Sequence, residues 1–328
     1  MSFKILGISS GRPMGNAEVI LREALIECEA LAECEVKITR LRGLKIQEFM
    51  GDYSFLEDAA NGGDGADGVE DDMIWLKEQI LWADAIIYSS PDFTYMPTSE
   101  TLKLMNRGLG VGQAYRDQCR QKPKKVGLIG VGGSDTVDFH MPLLYKTMEA
   151  ICPGFELADE MFCNWIRGKG YIAFQDYHTE RARILAKRLI NSLKGYKVPE
   201  IQMRIMKLNP MEYKDNEYVY MAQCPVCYSS VVEMHPGPAA AGTFQCSCCG
   251  AKGHVEAYGQ QLVYEWDDDS VAHNRFAPEY DKKNIELYVK AHLQPEGEKA
   301  EVKEFPRVTP ENDITCEKPY IMAVTAGP

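Results

Sequence analysis

"FKILGISSGRPMGNAEVILREAL", residues 3–25, decides how the rest of the chain is read. Phe3 to Ser9 is a continuous apolar run, the pattern of a strand buried on both faces. Asn16 is placed to cap the segment after it, in which Val19, Leu21, Ala24, Leu25, Cys28 and Leu31 keep a helical face. Between strand and helix lies Ser9 to Asn16, with hydroxyls, two glycines, the Arg12 guanidinium and the free N–H groups of a helix start. Those are the parts of an anion site. The loop has neither the three spaced glycines of a dinucleotide fingerprint nor the lysine of a P-loop.

The same strand–loop–helix step recurs. "EVKITRL" (35–41), "ADAIIYSS" (83–90), "KVGLIGVG" (125–132) and residues 155–163 are the further strand candidates. Helices are expected between them, with "DYHTERARILAKRLINSL" (176–193) closing the series. Five such steps over residues 1–193 predict an α/β domain with a doubly wound, parallel five-stranded sheet. Ligands of such sheets bind at the carboxyl ends of the strands, so the loops after Ser9, Ser90 and Gly130 are the informative ones. The second holds Phe93 and Tyr95 between Pro91 and Pro97, where a planar ring can lie against aromatics. The third, "GVGGSDTVDFH" (130–140), lets backbone approach a ligand closely.

Residues 194–218 read as a connector, 219–270 as a small cysteine module, and 271–328 as a helix near 278–293 followed by an extended arm. Five of the eleven cysteines fall within 224–249. Cys224 with Cys227, and Cys246 with Cys249, form two C-x2-C pairs with eighteen residues between them. Two such knuckles close one tetrahedral site, as in a zinc ribbon, so zinc is expected there, with a single iron as the alternative. Cys248 is spare, and His235 and His254 are lesser ligand candidates.

A net charge of -12 argues against nucleic acid and anionic membranes as partners. The first residues show no secretory leader, and no apolar run is long enough to span a bilayer, so the cytoplasm is the expected compartment.

The order of the phosphate-type loop, "ADAIIYSSPDFTYMPTSETLKLMNR" (83–107) and "KPKKVGLIGVGGSD" (122–135) resembles the NADPH-dependent FMN reductases of the flavodoxin-like fold, especially their iron–sulfur flavoprotein branch. The resemblance covers residues 1–193. It implies FMN with its phosphate on Ser9, Ser10, Arg12, Gly15 and Asn16. It places the flavin ring against Pro91, Asp92, Phe93, Thr94 and Tyr95, with Gly132, Gly133 and Ser134 at its other edge. It further implies hydride transfer from NAD(P)H to FMN and on to a small acceptor such as a quinone or flavin, in a homo-oligomer, dimer or tetramer. An FMN protein that passes electrons between protein partners, with a rubredoxin-like iron, is the alternative.

Asp92, Asp135 and His140 are the ionisable residues expected near the ring, and no catalytic residue is assigned. Two departures stand out in the phosphate loop: Ala17 replaces the family's threonine, and the loop is a residue short. In addition, no cysteine lies between Cys34 and Cys119, so the branch's iron–sulfur cluster has no ligands at its usual place. An acidic, glycine-rich segment (57–72) stands there instead. It is expected to be a solvated loop acting as a lid over the flavin; its single Gly-Gly-x-Gly-x-Asp match lacks the stacked repeats a calcium site needs.

Overall fold

The computed structural model describes residues 2–50, 53–133, 137–166, 168–196, 204–206, 218–220, 224–227, 232–236, 241–258, 261–275, 277 and 279. The amino-terminal part alternates strands and helices. Its elements are β1 (Phe3–Ser9), α1 (Asn16–Leu31), β2 (Cys34–Arg40), α2 (Ser54–Ala60), α3 (Asp72–Trp82), β3 (Ala85–Pro91), α4 (Ser99–Arg107), α5 (Gln113–Gln121), β4 (Lys125–Val131), α6 (Val137–Ile151), β5 (Glu156–Cys163) and α7 (Asp176–Leu193). The five strands pair in parallel in the order β2-β1-β3-β4-β5. This is the flavodoxin order, with its switch point between β1 and β3.

Each face of the sheet has its own core. On one side Ile20, Leu21, Ala24, Leu25 and Cys28 of α1 and Ala182, Leu185, Ala186 and Leu189 of α7 meet Ile5, Ile87 and Ile129. Those helix positions recur at spacings of three and four, the stripe that buries one face of a helix. On the other side Leu76 and Ile80 of α3, Leu104 of α4, Tyr115 and Cys119 of α5 and Leu144 and Met148 of α6 cover Leu6, Ile8, Ile86 and Leu128. The central strands β1, β3 and β4 are therefore buried on both faces, which is why they read as unbroken apolar runs.

From the expected connector 194–218 into the start of the cysteine module, β6 (Arg204–Met206) pairs antiparallel with β7 (Tyr218–Tyr220). A four-stranded antiparallel sheet follows, in the order β11-β10-β9-β8, from β8 (Val232–Pro236), β9 (Ala241–Cys246), β10 (Lys252–Tyr258) and β11 (Gln261–Trp266). The short α8 (Asp268–Ala272) packs beside β10. Of "EYVYMAQ" (217–223), the described part is β7, which pairs with β6 and not with the four-stranded sheet. The expected helix at 278–293 and the arm beyond lie outside the described residues. Among the described residues no helix is long and apolar enough to cross a membrane.

Candidate flavin site and cysteine centre

A cavity of about 550 Å³ opens at the carboxyl ends of β1, β3 and β4. Ser10, Gly11, Arg12, Gly15, Asn16 and Ala17 line it from the first loop. Ser9 lies beneath them, fully buried, its Oγ accepting the Gly11 N–H at 3.2 Å. Gly15 closes the turn by donating its N–H to Arg12 O at 2.9 Å. A Cβ on Gly15 would stand 2.9 Å from Arg12 Cγ and 3.0 Å from Arg12 O, so a side chain there would force the turn open.

Gly15 is also the N-cap of α1, and no side chain caps that helix. The orphan N–H groups of the first turn are thus left at the cavity, where they favour an anion. Asn16 is used differently from expectation. Its Nδ2 donates to Gly168 O at 2.7 Å and its Oδ1 accepts the Ile172 N–H at 3.3 Å, so its side chain ties the loop to the segment after β5.

An acidic residue in the first turn of α1 would oppose a bound phosphate. Glu18 is that residue, and it is fully buried. Arg40 grips it through Nε–Oε2 at 2.6 Å and Nη2–Oε1 at 2.8 Å, and Arg22 adds Nε–Oε1 at 2.9 Å. The Arg40 hydrogen bonds hold the Glu18 carboxyl down at about 2 against the desolvation that would raise it. Its charge is neutralised locally before any ligand arrives.

The second loop contributes Pro91, Asp92 and Phe93 to the cavity wall. Phe93 and Met96 exchange backbone hydrogen bonds of 2.8 and 3.2 Å, which turns Thr94 and Tyr95 outward at the tip. Both tip residues have left-handed backbone, with φ of 55° and 70°. They therefore crown the rim rather than line it. Asp92 N donates to Val131 O at 2.7 Å, locking this loop to the third. There Gly133 lines the cavity, while Gly132 sits behind it, donating to Cys163 O at 2.8 Å. Ser134 and Asp135 lie outside the described residues.

His140 does not line the cavity. It is buried with its ring 5.7 Å from Phe162, and burial pushes its pKa down to about 3, so it is a neutral core imidazole at ordinary pH. Residues absent from the sequence reading complete the wall: Arg42 after β2, Thr98, Ser99 and Glu100 at the start of α4, and Ile166 and Gly168 after β5. Thr98 is the N-cap of α4, its Oγ1 accepting the Thr101 N–H at 3.3 Å. Arg42 was recognisable only as the first cation past the end of the strand beside β1.

Residues 3–157 match the model of the NADPH-dependent FMN reductase family. Over that stretch the amino-terminal domain is similar to the members of that family. Flavone synthase cfoJ of Aspergillus candidus is 24% identical over 277 residues, covering 77% of this chain and 78% of its own. A solved flavone reductase superposes with a TM-score of 0.60 at 20% identity, over 90% of this chain and 93% of that one, and so shares the fold. The chain is an oxidoreductase enzyme of the FMN- and NAD(P)H-dependent kind.

Beyond the amino-terminal domain, Cys224, Cys227, Cys246 and Cys249 are all buried, with their Sγ atoms within 4.8 Å of one another. Cys224 and Cys249 are 3.3 Å apart, and Cys227 and Cys246 3.5 Å. A regular tetrahedron with Zn–S bonds of about 2.3 Å has sulfurs ~3.8 Å apart, so the four thiols fit one such ion with small outward shifts. The knuckle between β9 and β10 is built by Gly250, whose φ of 77° favours glycine and whose N–H reaches Cys246 O at 2.9 Å. Cys248, half-buried, stays outside the four-sulfur group, as do His235 and His254. Tyr145 of α6 in the amino-terminal domain packs against this cluster with Val226, Trp266 and Val271.

The acidic segment is not a lid. None of the described residues of 57–72 lines the cavity. Asp67 and Asp71 reach the buried Arg107 at the end of α4, at 3.2 and 3.4 Å, and Asp64 accepts the Ala114 N–H at 2.6 Å. The segment is stitched to the α4–α5 connection because its carboxylates have partners some forty residues downstream.

Proposed function

We propose that the cavity holds FMN with its phosphate at Ser10–Ala17 and its ring between Pro91–Phe93 and Gly133, open to a nicotinamide and then to a flat aromatic acceptor of the flavonoid or quinone kind. The observation that carries this reading is Arg12, without an ion-pair partner among the described residues, standing beside the uncapped start of α1 inside a cavity of about 550 Å³, a size proper to a small-molecule site. When bound, FMN supplies the two-electron hydride chemistry.

The chain's own part is to bind, orient and exclude water. Arg12 and the α1 amides anchor the phosphate, and backbone around Gly133 approaches the ring edge. Phe93, 62% exposed, and Tyr95, 59% exposed, give the mouth an aromatic rim suited to a planar acceptor. The names of the two relatives, a flavone synthase and a flavone reductase, support that acceptor class. A cavity open to solvent favours an enzyme with its own substrate over a carrier between protein partners. In the second module, Cys224, Cys227, Cys246 and Cys249 hold one zinc ion as a structural centre, replacing the apolar core so small a sheet lacks.

The test is to load purified protein with FMN and follow NADPH oxidation with flavones, flavanones and quinones offered as acceptors. Acceptor-dependent turnover is expected. A protein that takes up no FMN would end the reading.

A further inference from the structure

Two arginines line the flavin cavity, Arg12 after β1 and Arg42 in the 3-10 turn Leu41–Gly43 after β2. Among the described residues neither guanidinium makes a hydrogen bond or ion pair. The other arginines with described side chains all have partners, as Arg40 has Glu18, Arg107 has Asp67 and Arg188 has Asp159. In a chain of net charge -12, two bare cations converging on one cavity make it a local trap for anions. The cavity is also polarised. Its arginines follow β1 and β2, while its carboxylates, Asp92 and Glu100, follow β3.

One phosphate does not account for both cations. The FMN phosphate is met by Arg12, Ser10 and the first amides of α1, all on one turn. Arg42 comes from a different strand end, on the side of β1 away from β3. A fork of donors held without a counter-ion suits a phosphate monoester, which it can bind bidentately.

We propose that Arg42 receives the 2′-phosphate of NADPH and sets the preference for NADPH over NADH. The assignment rests on the FMN reading of the same cavity. Arg42 is exposed, so Arg42→Ala leaves the core untouched.

The experiment compares wild type, Arg12→Ala and Arg42→Ala in three measurements. These are binding of FMN against riboflavin by fluorescence quenching, inhibition by adenosine 2′,5′-bisphosphate against adenosine 5′-phosphate, and kcat/KM for NADPH against NADH. Arg42→Ala is expected to lower the NADPH-to-NADH ratio by about tenfold or more and to abolish the advantage of the 2′-phosphorylated inhibitor. Arg12→Ala is expected instead to erode the preference for FMN over riboflavin. If Arg42→Ala erodes that flavin preference, Arg42 serves the flavin phosphate and the assignment is overturned. It is equally overturned if wild type binds FMN but shows no NADPH preference, or if the ratio does not move in Arg42→Ala. A wild-type protein that binds no FMN overturns the flavin reading, and the Arg42 assignment falls with it.

Discussion

Arg40, on the last residue of β2, closes a two-point ion pair on Glu18 in the first turn of α1, with N–O distances of 2.6 and 2.8 Å. A carboxylate is thereby kept at a helix start beside the cavity without repelling an anion there. Its stability signature follows from linkage. The folded-state pKa, about 2, lies below the ordinary 4.5, so the contribution is complete above about pH 4.5 and is lost as pH falls toward 2. Urea unfolding of wild type between pH 5 and pH 2 is expected to lose about 3 kcal/mol more than Glu18→Gln does over the same range.

Gly15→Ala tests the phosphate turn by shape alone. The added methyl would press on Arg12 O and Cγ, opening the turn that presents the α1 amides. Expected is an FMN affinity reduced about tenfold, corresponding to ~1.4 kcal/mol, with a melting temperature shifted by only a few degrees. Isothermal titration and differential scanning calorimetry read the two separately.

Arg107→Met probes the acidic segment. The arginine is 2% exposed and faces Asp67 and Asp71, so its removal strands buried negative charge. A loss of about 3–5 kcal/mol is expected. Limited proteolysis should show new cleavage within 61–71, while FMN uptake by the surviving folded fraction stays at one per chain.

Metal removal distinguishes the two modules. Elemental analysis is expected to find one zinc per chain, and Cys246→Ser to bring that below a tenth. Because the four sulfurs form the centre of their own small cluster, the variant should lose near-ultraviolet signal from Trp266 while retaining bound FMN. A reddish protein with iron in place of zinc would transfer the site to the rubredoxin-like alternative.

The central strands and the closing helix were plain in the sequence because double burial and a long amphipathic period leave strong local patterns. α7 runs from Asp176 to Leu193 as the periodicity predicts. The cysteine centre was equally plain, since C-x2-C turns are local. What the sequence hid was set by distant partners. The segment 57–72 looks solvated until Arg107 is found against it, and Asn16 looks like a phosphate ligand until Gly168 and Ile172 claim its amide. Arg42, Ile166 and Gly168 entered the wall only because β2 and β5 end at the same rim as β1 and β4. His140, near the third loop in sequence, turned inward because α6 buries that face.

Among the described residues, the non-glycine positions with left-handed backbone are Met14, Thr94, Tyr95 and Trp165, with φ from 53° to 70°. All four stand in the loops that follow β1, β3 and β5. Conformations of this kind cost of order 1–3 kcal/mol each and persist only where surrounding structure imposes them. The rim is thus shaped before a guest arrives, so capture need not order it. The same arrangement leaves it the part of the fold where gains in thermal robustness and gains in recognition pull in opposite directions.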